Sequence, residues 1–375
     1  MLTKDFDIRV FSNMEQLSID WPDADDKTGC AFFVFQSKSF IRAWEASYGQ
    51  EPGVQLCLTE VRQTDDTPLL FLPLFITRIC GSRVLSFIDG GVSDYNAPIV
   101  FPAATQLSHD AAMRVLAAVL ASVPSHDVVA LCKMPEHIEG LINPLWSVTD
   151  RFSGASTHTM SLVRPIAEIE KSIQGIGNIK KRDRAFQKLE GARFLIAQTE
   201  AERRSVLDAM FRQKQRRFEE TMVPGFDAHP EKRRFFEKAT EQLARHGALH
   251  LSALAVGETI WATLWSVVRN GHYCAMIITF ENGMWSKFSP GKLLILRLLS
   301  ALKADGYSIF DLGFGDEPWK SGICDRTTPL RDYIRPVTLR GRISLSLARG
   351  MERLRETSLY AKLRPLKWRL LRKFG

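Results

Sequence analysis

The sequence predicts an α/β fold built from two halves, each a mixed β-sheet flanked by helices. The chain has 375 residues, more than a single core usually needs, and 45% hydrophobic with 25% charged residues is an ordinary globular composition. Short apolar runs alternate with longer segments of helical periodicity, and this alternation lapses between residues 144 and 161. We therefore expect domains at residues 1–155 and 156–340, followed by a helical tail at residues 341–375.

In the first half, apolar runs at residues 54–61 and 69–76 lie on either side of a Thr-Asp-Asp-Thr-Pro turn. This is the pattern of two paired strands. Residues 108–122 are rich in alanine and predict a helix, and residues 127–132 predict a buried strand. The Ser, Thr and Gly residues at 144–161 then indicate an irregular connection between the halves.

The second half repeats a similar order of helices and strands, although no repeat is visible at the level of the sequence. A tight turn at Gly257-Glu258 divides its most apolar window into two strands. We predict a helix at residues 166–189, a strand at 193–197, helices at 200–218 and 231–246, three strands within 248–280, a helix from residue 290 and a strand at 309–312.

The start of the helix at residue 290 is the first candidate site. Ser289 is suited to the N-cap and Pro290 to the first helical position. The free N–H groups at a helix start can hold a pyrophosphate, Gly291 leaves room for phosphate oxygens, and Lys292 adds a positive charge. The alternative is a capped helix with no ligand. The buried stripe predicted for this helix consists of Leu293, Leu294, Leu296, Leu298, Leu299 and Leu302.

The strand at residues 309–312 is followed by a polar cluster that forms the second candidate site. Asp311, Asp316, Glu317 and Lys320 place three carboxylates and an ammonium close to the strand end. Together with the helix start, this cluster predicts a group-transfer site in one β-α-β unit. The alternative is that these charges are solvated in a loop.

Several short motifs occur in a fixed order from about residue 35 to residue 340, and together they resemble a known family. They are Phe35-Gln36-Ser37 with Trp44 and Tyr48-Gly49, Asp94-Tyr95-Asn96-Ala97-Pro98, a basic helix before Gly191, Arg217-Phe218 with Gly225-Phe226, Ser289-Pro290-Gly291, and Gly315-Asp316-Glu317 with Lys320. The ordered set resembles the GNAT-superfamily acetyltransferases of cellulose and exopolysaccharide biosynthesis. The resemblance implies tandem GNAT-like domains, an architecture shared with Fem-type aminoacyltransferases.

The resemblance also implies an acyl-CoA-dependent acyltransferase, acting on a hydroxyl or amine of a sugar or polysaccharide precursor within a ternary complex. Asp311 or Glu317 would accept the proton, a backbone N–H would face the oxyanion, and Lys320 would pair with the carboxylates or contact phosphate. Ser289, Gly291 and Lys292 would hold the pyrophosphate of acetyl-CoA or another acyl-CoA. Arg217, in one of two basic runs, would attract the anionic donor; the alternative is a solvated helix face.

The sequence departs from the family pattern at two points. The usual pyrophosphate loop, Q/R-x-x-G-x-G/A, does not occur in the sequence, and Trp319 stands where the family often has Tyr. One alternative function is aminoacyl transfer from a charged tRNA, and another is a non-catalytic subunit of an exopolysaccharide synthase. The net charge of −1 over residues 1–339 argues against nucleic acid as a partner.

The tail carries the whole excess of positive charge, because residues 340–375 have a net charge of +9. Arginines alternate with apolar residues at helical spacing, which predicts a basic amphipathic helix bent near Pro365. Such a helix can lie on an anionic membrane or dock on a membrane synthase; packing on the protein body or a solvated tail are the alternatives. We expect a cytoplasmic protein, peripheral to the inner membrane face through this tail. We also expect no bound metal, because the six cysteines are scattered. The apolar stripe of the tail consists of Ile343, Leu347, Met351, Leu354, Leu359, Leu363, Leu366 and Leu370.

Overall fold

The computed structural model describes residues 6–23, 29–105 and 107–355. Helices α1 (Lys38–Glu45) and α2 (His109–Ser122) belong to the first half of the chain. The strands of that half are β1 (Asp7–Phe11), β2 (Gln55–Arg62), β3 (Pro68–Ile79), β4 (Ser82–Phe87), β5 (Ile99–Val100), β6 (Val128–Met134), β7 (His137–Ile138) and β8 (Leu141–Ile142).

The second half begins at β9 and ends in a helix that runs into the tail. Its strands are β9 (Arg151–Ser161), β10 (Ala192–Ile196), β11 (Leu249–Val256), β12 (Thr259–Arg269), β13 (His272–Phe280), β14 (Ile309–Phe314) and β15 (Arg326–Pro336). Its helices are α3 (Ile166–Ser172), α4 (Ile176–Gln187), α5 (Glu200–Thr221), α6 (Pro230–Arg245), α7 (Pro290–Ala304), α8 (Pro318–Ser321) and α9 (Leu339–Arg355).

One mixed sheet of thirteen strands runs through both halves. Its order is β1-β2-β3-β4-β6-β15-β9-β14-β13-β12-β11-β10, with β5 paired to β3. The late strand β15 joins the halves, because it pairs with β6 on one side and with β9 on the other. The expected mixed sheet flanked by helices is therefore confirmed.

The irregular connection predicted at residues 144–161 is wrong over most of its length. Residues 151–161 form β9, which pairs with β15 on one side and β14 on the other. Ser and Thr side chains give no pattern of apolar residues from which a strand could be predicted. The strand forms because neighbouring strands on both sides satisfy the hydrogen bonds of its backbone. The predicted domain boundary at residue 155 falls inside this strand, and the boundary at residue 340 falls inside α9.

The single helix predicted at residues 166–189 is also wrong. It consists of α3 and α4, separated by Ile173 to Gly175. Gly175 has φ of +74°, a left-handed conformation that a helix interior excludes and glycine adopts at little cost. Most other predicted elements are confirmed within a few residues.

The two faces of the second-half sheet are covered by different parts of the chain. Helices α5 and α6 pack with the first half in one hydrophobic cluster, which includes Phe211 and Phe235. Helices α3, α4 and α7 form a second cluster, which includes Phe186 and Leu294. All six leucines predicted to form the buried stripe of α7 are buried. The sheet therefore separates α7 from α5 and α6.

Helix α9 confirms a helix at the start of the tail, and its apolar stripe is exposed. Leu339, Ile343, Leu347 and Met351 recur at intervals of four residues, and the side chain of Leu347 is 62% exposed. The part of the predicted stripe from Leu359 onward lies outside what the structure describes. Within residues 6–23, 29–105 and 107–355, no helix combines the length and the apolar character needed to cross a bilayer.

Burial of His250 predicts a loss of stability in acid. Its ring packs on Tyr273, and neither ring nitrogen has a hydrogen-bond partner within the described residues. Burial lowers the pKa of His250 to about 4, although the charge of Asp305 opposes this. An unfolded histidine has a pKa of about 6.5. This residue's stabilising contribution is therefore complete above pH 6.5 and is lost as the pH falls toward 4.

We predict that the free energy of unfolding of the His250→Leu variant depends less on pH than that of the wild type. Between about pH 7 and pH 5 the wild type should lose about 2 kcal/mol more than the variant. Denaturant unfolding at both pH values measures the difference. His109→Gln, an exposed histidine at the start of α2, is the matched control. Equal pH dependence in wild type and His250→Leu would contradict the assignment.

Candidate active site

The parallel strands β13 and β14 pair over three residues and then separate. His272 to Cys274 pair with Ile309 to Asp311. Beyond that point β13 continues beside β12 as far as Phe280, whereas β14 continues beside β9. The result is a V-shaped gap in the sheet, open toward the C-terminal ends of both strands.

Helices α7 and α8 both begin at the open end of the gap. Helix α7 returns from the end of β13 to the start of β14, so its N-terminus lies at the C-terminal ends of the strands. Helix α8 directly follows β14. The gap therefore joins the two regions in which the sequence predicted site residues.

A β-bulge marks the point where β13 leaves β14. Ala275 pairs with Ser266 and Ile277 pairs with Trp265, so Met276 is an extra residue on β13. A bulged residue is left out of the regular hydrogen-bond ladder. The bulge therefore places backbone polar groups at the root of the gap.

Asp311 lies at this root and is completely buried. The Tyr95 hydroxyl donates to its Oδ2 over 2.5 Å, the Gly313 N–H donates to its Oδ1 over 2.7 Å, and His272 Nε2 lies 2.9 Å from Oδ2. The sequence predicted Asp311 as a candidate proton acceptor at the strand end. The enclosed position instead makes Asp311 a group that joins the halves and holds its neighbours in place.

Asp94, which the sequence placed in a motif without a chemical role, lies against the same strand. The Phe314 N–H donates to its carboxylate, and a Cβ atom at Gly313 would overlap that carboxylate. Burial, followed by the charge of Asp311, raises the pKa of Asp94 to about 7, although Lys133 and Lys320 act in the opposite direction. Asp94 is thus a carboxylate that exchanges a proton near neutral pH.

Lys320 is almost fully buried in α8, and its ammonium caps the end of β14. It donates to the Phe314 carbonyl over 2.9 Å and lies 2.9 Å from the Glu317 carboxylate. Glu317 is half-exposed at the mouth of the gap. Burial raises the pKa of Glu317, but the hydrogen bond from Lys320 and the other interactions outweigh it, and the pKa is lowered. The structure thus brings Lys320, Glu317 and Asp94 together around Phe314.

The start of α7 differs in detail from its prediction. The helix begins at Pro290, but Ser289 has φ of +50° and its side chain makes no capping hydrogen bond. The Ser289 hydroxyl instead accepts from the Arg182 guanidinium of α4. Gly291 is buried, and a Cβ atom there would lie 3.3 Å from Phe280, so this glycine allows α7 to pack closely on β13. Lys292 is exposed.

Arg217 does not lie beside the start of α7. It lies on α5, across the sheet from α7, and its side chain is 67% exposed. Glu220 on the same helix is its ion-pair partner at 3.6 Å. Arg217 lies instead near Lys214, since its charge lowers the pKa of that lysine.

The first half contains a matching pair of parallel strands. Strands β4 and β6 pair in parallel over Val84 to Ser86 and Val128 to Ala130, as β13 and β14 do. The Asn96 side chain then donates to the Cys132 carbonyl and to the Asp89 carboxylate, both over 3.1 Å. Asn96 thus links the two strands where they separate, and a cavity of about 560 Å³ lies beside it.

One group of side chains has the spacing of metal ligands. His272 Nε2, Cys274 Sγ and an Asp311 carboxylate oxygen all lie within 4.8 Å of one another. Burial, followed by the charges of Asp311 and Asp94, raises the pKa of the Cys274 thiol well above its usual value. Thiolate is the form that binds metal, and Asp311 is already hydrogen-bonded to His272 and Tyr95. Two of the three residues, His272 and Asp311, thus already have each other as hydrogen-bond partners.

A cavity of about 950 Å³ lies between the halves at the starts of β13 and β14. Its lining includes Tyr95, His272, Ile309 and Arg326. It therefore lies at the end of the strands opposite the open gap.

Comparison with protein families finds a match within the second half. Residues 175–321 match the family model described as "Acetyltransferase (GNAT) domain", and they contain β13, α7, β14 and α8. No curated protein matches the chain.

Solved structures are similar to most of the chain. FemX superposes with a TM-score of 0.58 at 10% identity, over 84% of this chain and 95% of FemX. L-PGS from Bacillus licheniformis gives a TM-score of 0.49 at 11% identity, over 88% and 98%. A tandem GNAT protein from the clavulanic acid biosynthesis pathway gives 0.44 at 7% identity, over 89% and 99%. At 10% identity the likeness to FemX establishes a mixed α/β fold and not the substrate.

We predict that Tyr95→Phe destabilises the protein by about 1–3 kcal/mol, because it leaves the buried Asp311 carboxylate without one of its donors. The measurement is denaturant unfolding at neutral pH. Tyr48→Phe is the matched control, since its hydroxyl donates to the Gly90 carbonyl at a partly exposed site. The control should lose less than about 1 kcal/mol. Equal losses in the two variants would contradict the role given to Asp311.

Proposed function

We propose that this chain is an acyltransferase that moves an acetyl group from acetyl-CoA to a hydroxyl or amine of a sugar or polysaccharide precursor. The observation that carries the proposal is the gap between β13 and β14, with Asp94 beside it and the start of α7 at its mouth. The match of residues 175–321 to a GNAT acetyltransferase domain supports the same reaction class.

The donor would enter from the side of α7. The pyrophosphate of CoA would lie at the helix start, where backbone N–H groups and the helix dipole favour an anion. Exposed Lys292 and the Arg182 guanidinium, which contacts Ser289, would add positive charge. Gly291 would act indirectly, because it allows α7 to pack closely on β13 and so positions the helix start. The thioester would then extend into the gap.

The acceptor would attack the thioester directly within a ternary complex. Asp94 would take the proton from the acceptor hydroxyl or amine as the new C–O or C–N bond forms. The C–S bond would break and CoA would leave as a thiolate, which takes a proton from solvent. Backbone N–H groups of the bulge at Met276 would face the thioester oxygen as it becomes negative.

Asp94 fits the role of base better than either carboxylate predicted from the sequence. A base is most effective when its pKa lies near the working pH, and that of Asp94 is about 7. Asp311 is enclosed by its donors, whereas the pKa of Glu317 is lowered. We assign Asp311 and Lys320 to positioning Asp94 and setting its pKa, and Glu317 to holding Lys320.

Aminoacyl transfer from a charged tRNA is the second candidate. The superposition on FemX over most of both chains favours it, because the architecture that the sequence motifs imply is shared with Fem-type aminoacyltransferases. The net charge of −1 over residues 1–339 opposes it, since tRNA needs a broad basic surface. Acetyl-CoA binding discriminates between the two candidates and also tests the non-catalytic alternative.

We also propose that α9 holds the enzyme on the cytoplasmic membrane, on a surface containing anionic lipids. Four apolar side chains at intervals of four residues are exposed on α9, and Arg342 and Arg349 are exposed on the same helix. An apolar stripe with flanking arginines suits the boundary between headgroups and acyl chains. This position would bring the active site to precursors made at the membrane.

The binding of acetyl-CoA is the first test of the donor site. We predict that Lys292→Glu weakens this binding about tenfold, because it reverses a charge beside the pyrophosphate. Isothermal titration calorimetry measures the affinity. Lys238→Glu, which makes the same change at an exposed position on α6, should bind like the wild type. Wild-type protein that does not bind acetyl-CoA would contradict the proposed donor.

The pH dependence of turnover tests the base. We predict that the release of CoA in the presence of a panel of amino sugars and sugar phosphates rises with pH through about 7, as Asp94 loses its proton. Asp94→Asn should lower turnover by a factor of about 10² to 10⁴. Asp316→Asn is the control, because this half-exposed carboxylate is paired with His158. Turnover that is retained in Asp94→Asn would exclude Asp94 as the base.

Co-sedimentation with vesicles of phosphatidylglycerol and phosphatidylcholine tests the membrane proposal. We predict that Leu347→Glu reduces binding at least tenfold, because it puts a charge in the apolar stripe. Ser346→Glu makes the same change in charge at the preceding residue, which is also exposed, and should retain most of the binding. Equal effects of the two variants would point to a purely electrostatic contact and contradict an inserted apolar stripe.

A further inference from the structure

The cavity between the halves has a floor that consists of one face of the sheet. Asp311 of β14 pairs with Cys274 of β13 on one side and with Thr159 of β9 on the other. Thr159 pairs in turn with Arg326 of β15. Paired residues have their side chains on the same face, and this row spans three inter-strand spacings, or about 14 Å. His272 lies two residues before Cys274 and therefore on the same face.

The first half forms the roof of the cavity and is tied to the second half by an ion pair. Residues 29–34 and most of residues 135–141 line this side of the cavity. The Glu139 carboxylate is paired with the Arg269 guanidinium at the end of β12, and the Asn270 amide donates to the same carboxylate over 2.7 Å. The fold thus holds both walls in place, as is usual for a ligand site.

His272 is held by Asp311 in an orientation that leaves one ring nitrogen available. Its Nε2 lies 2.9 Å from the buried Asp311 carboxylate, which also accepts from the Tyr95 hydroxyl. A carboxylate partner favours the proton on Nε2, so that Nδ1 is a hydrogen-bond acceptor. Nδ1 has no partner in the part of the chain that the structure describes, and the side chain is 22% exposed. His272 thus presents an oriented acceptor to the cavity.

The side chains of Thr159 and Arg326 are also available to a ligand. Both line the cavity, and neither has a hydrogen-bond or ion-pair partner among residues 6–23, 29–105 and 107–355. A threonine hydroxyl both donates and accepts, whereas a guanidinium donates through five N–H groups. The floor therefore combines donors and acceptors at separate points along its length.

The charges around the cavity balance one another. Glu139 and Asp325 line it, and each is already engaged in an ion pair with an arginine. Glu136 and Arg326 also line it, have no such partner among the described residues, and carry opposite charges. An anionic or cationic ligand would therefore meet no excess of opposite charge. A neutral ligand with many hydroxyl groups matches the separate donors and acceptors better.

We infer that this cavity is a saccharide site, in which His272, Thr159 and Arg326 bind hydroxyl groups of a neutral di- or oligosaccharide. The volume of about 950 Å³ lies at the upper end of the range for small-molecule sites. Ile309, which is 37% exposed, and Val34 add apolar surface on which the C–H faces of sugar rings can pack.

The saccharide site is separate from the donor site but connected to it through Asp311. Tyr95 and His272 line the cavity, and both bond to the Asp311 carboxylate at the root of the gap. The proposed donor enters at the opposite ends of the same strands. The inference therefore goes beyond the proposed function, since binding in the cavity requires neither acetyl-CoA nor a transfer step.

The test is isothermal titration calorimetry with cellobiose, N,N′-diacetylchitobiose and maltose as probes. We expect at least one of them to bind, one molecule per chain, at millimolar concentration or below. Arg326→Ala and Thr159→Val should each weaken this binding about tenfold, because each removes a hydrogen-bond donor. Ile309→Trp, which fills the cavity from its floor, should abolish it. Arg78→Ala, at an exposed position on β3, is the matched control and should bind like the wild type.

The ring of His272 gives a second readout, which a purely structural role would not change. In protein with isotope-labelled histidine, the bound saccharide should shift the Nδ1 resonance that His272→Gln lacks. Glutamine can still donate to Asp311 but offers no acceptor at the position of Nδ1. His272→Gln should therefore melt close to the wild-type temperature and bind the saccharide about tenfold more weakly.

The failure of all three saccharides to bind the wild type would overturn the inference. Binding that is unchanged in Arg326→Ala, Thr159→Val and His272→Gln would also overturn it, and these variants decide the question even if Ile309→Trp does not fold. If the wild type does not bind acetyl-CoA, the proposed function fails, and saccharide binding that depends on Arg326 and Thr159 still establishes the cavity site.

Discussion

The buried carboxylate of Asp311 is the group on which the arrangement of the site depends. It accepts hydrogen bonds from Tyr95 in the first half and from the Gly313 N–H of its own strand, and it lies beside His272 of β13. A charge in the interior is tolerated only when such partners surround it. The same contacts hold β14 at the point where it leaves β13. They also bring Asp94 against Gly313, where the charge of Asp311 contributes to the raised pKa of Asp94.

Both halves contain a pair of parallel strands that separate, but different residues lie at the point of separation. Each has a parallel strand pair that is joined through a helix and separates after three residue pairs. In the first half this residue is Asn96, which bonds to Cys132 and Asp89. The segment that contains Asn96 also brings Asp94 and Tyr95 to the second half. The first half therefore contributes Asp94 and Tyr95 to the gap between β13 and β14 in the second half.

Local signals predicted the parts of the site that depend on neighbours in sequence. The start of α7 at Pro290 and its buried leucines follow from helix chemistry and periodicity. Strand β9 could not be predicted in this way, because its Ser and Thr residues form a strand only through hydrogen bonding to β14 and β15 on either side. The burial of Asp311 was missed for a similar reason. Its Tyr95 partner is 216 residues away in the chain, and carboxylates at strand ends are usually solvated.

The most direct measurement of the central claim is a crystal structure of the protein bound to acetyl-CoA. The account predicts the pyrophosphate at the start of α7, the thioester between β13 and β14, and the Asp94 carboxylate facing the thioester carbon from across the gap. A donor bound in the cavity at the opposite ends of the strands, or outside the gap altogether, would contradict it.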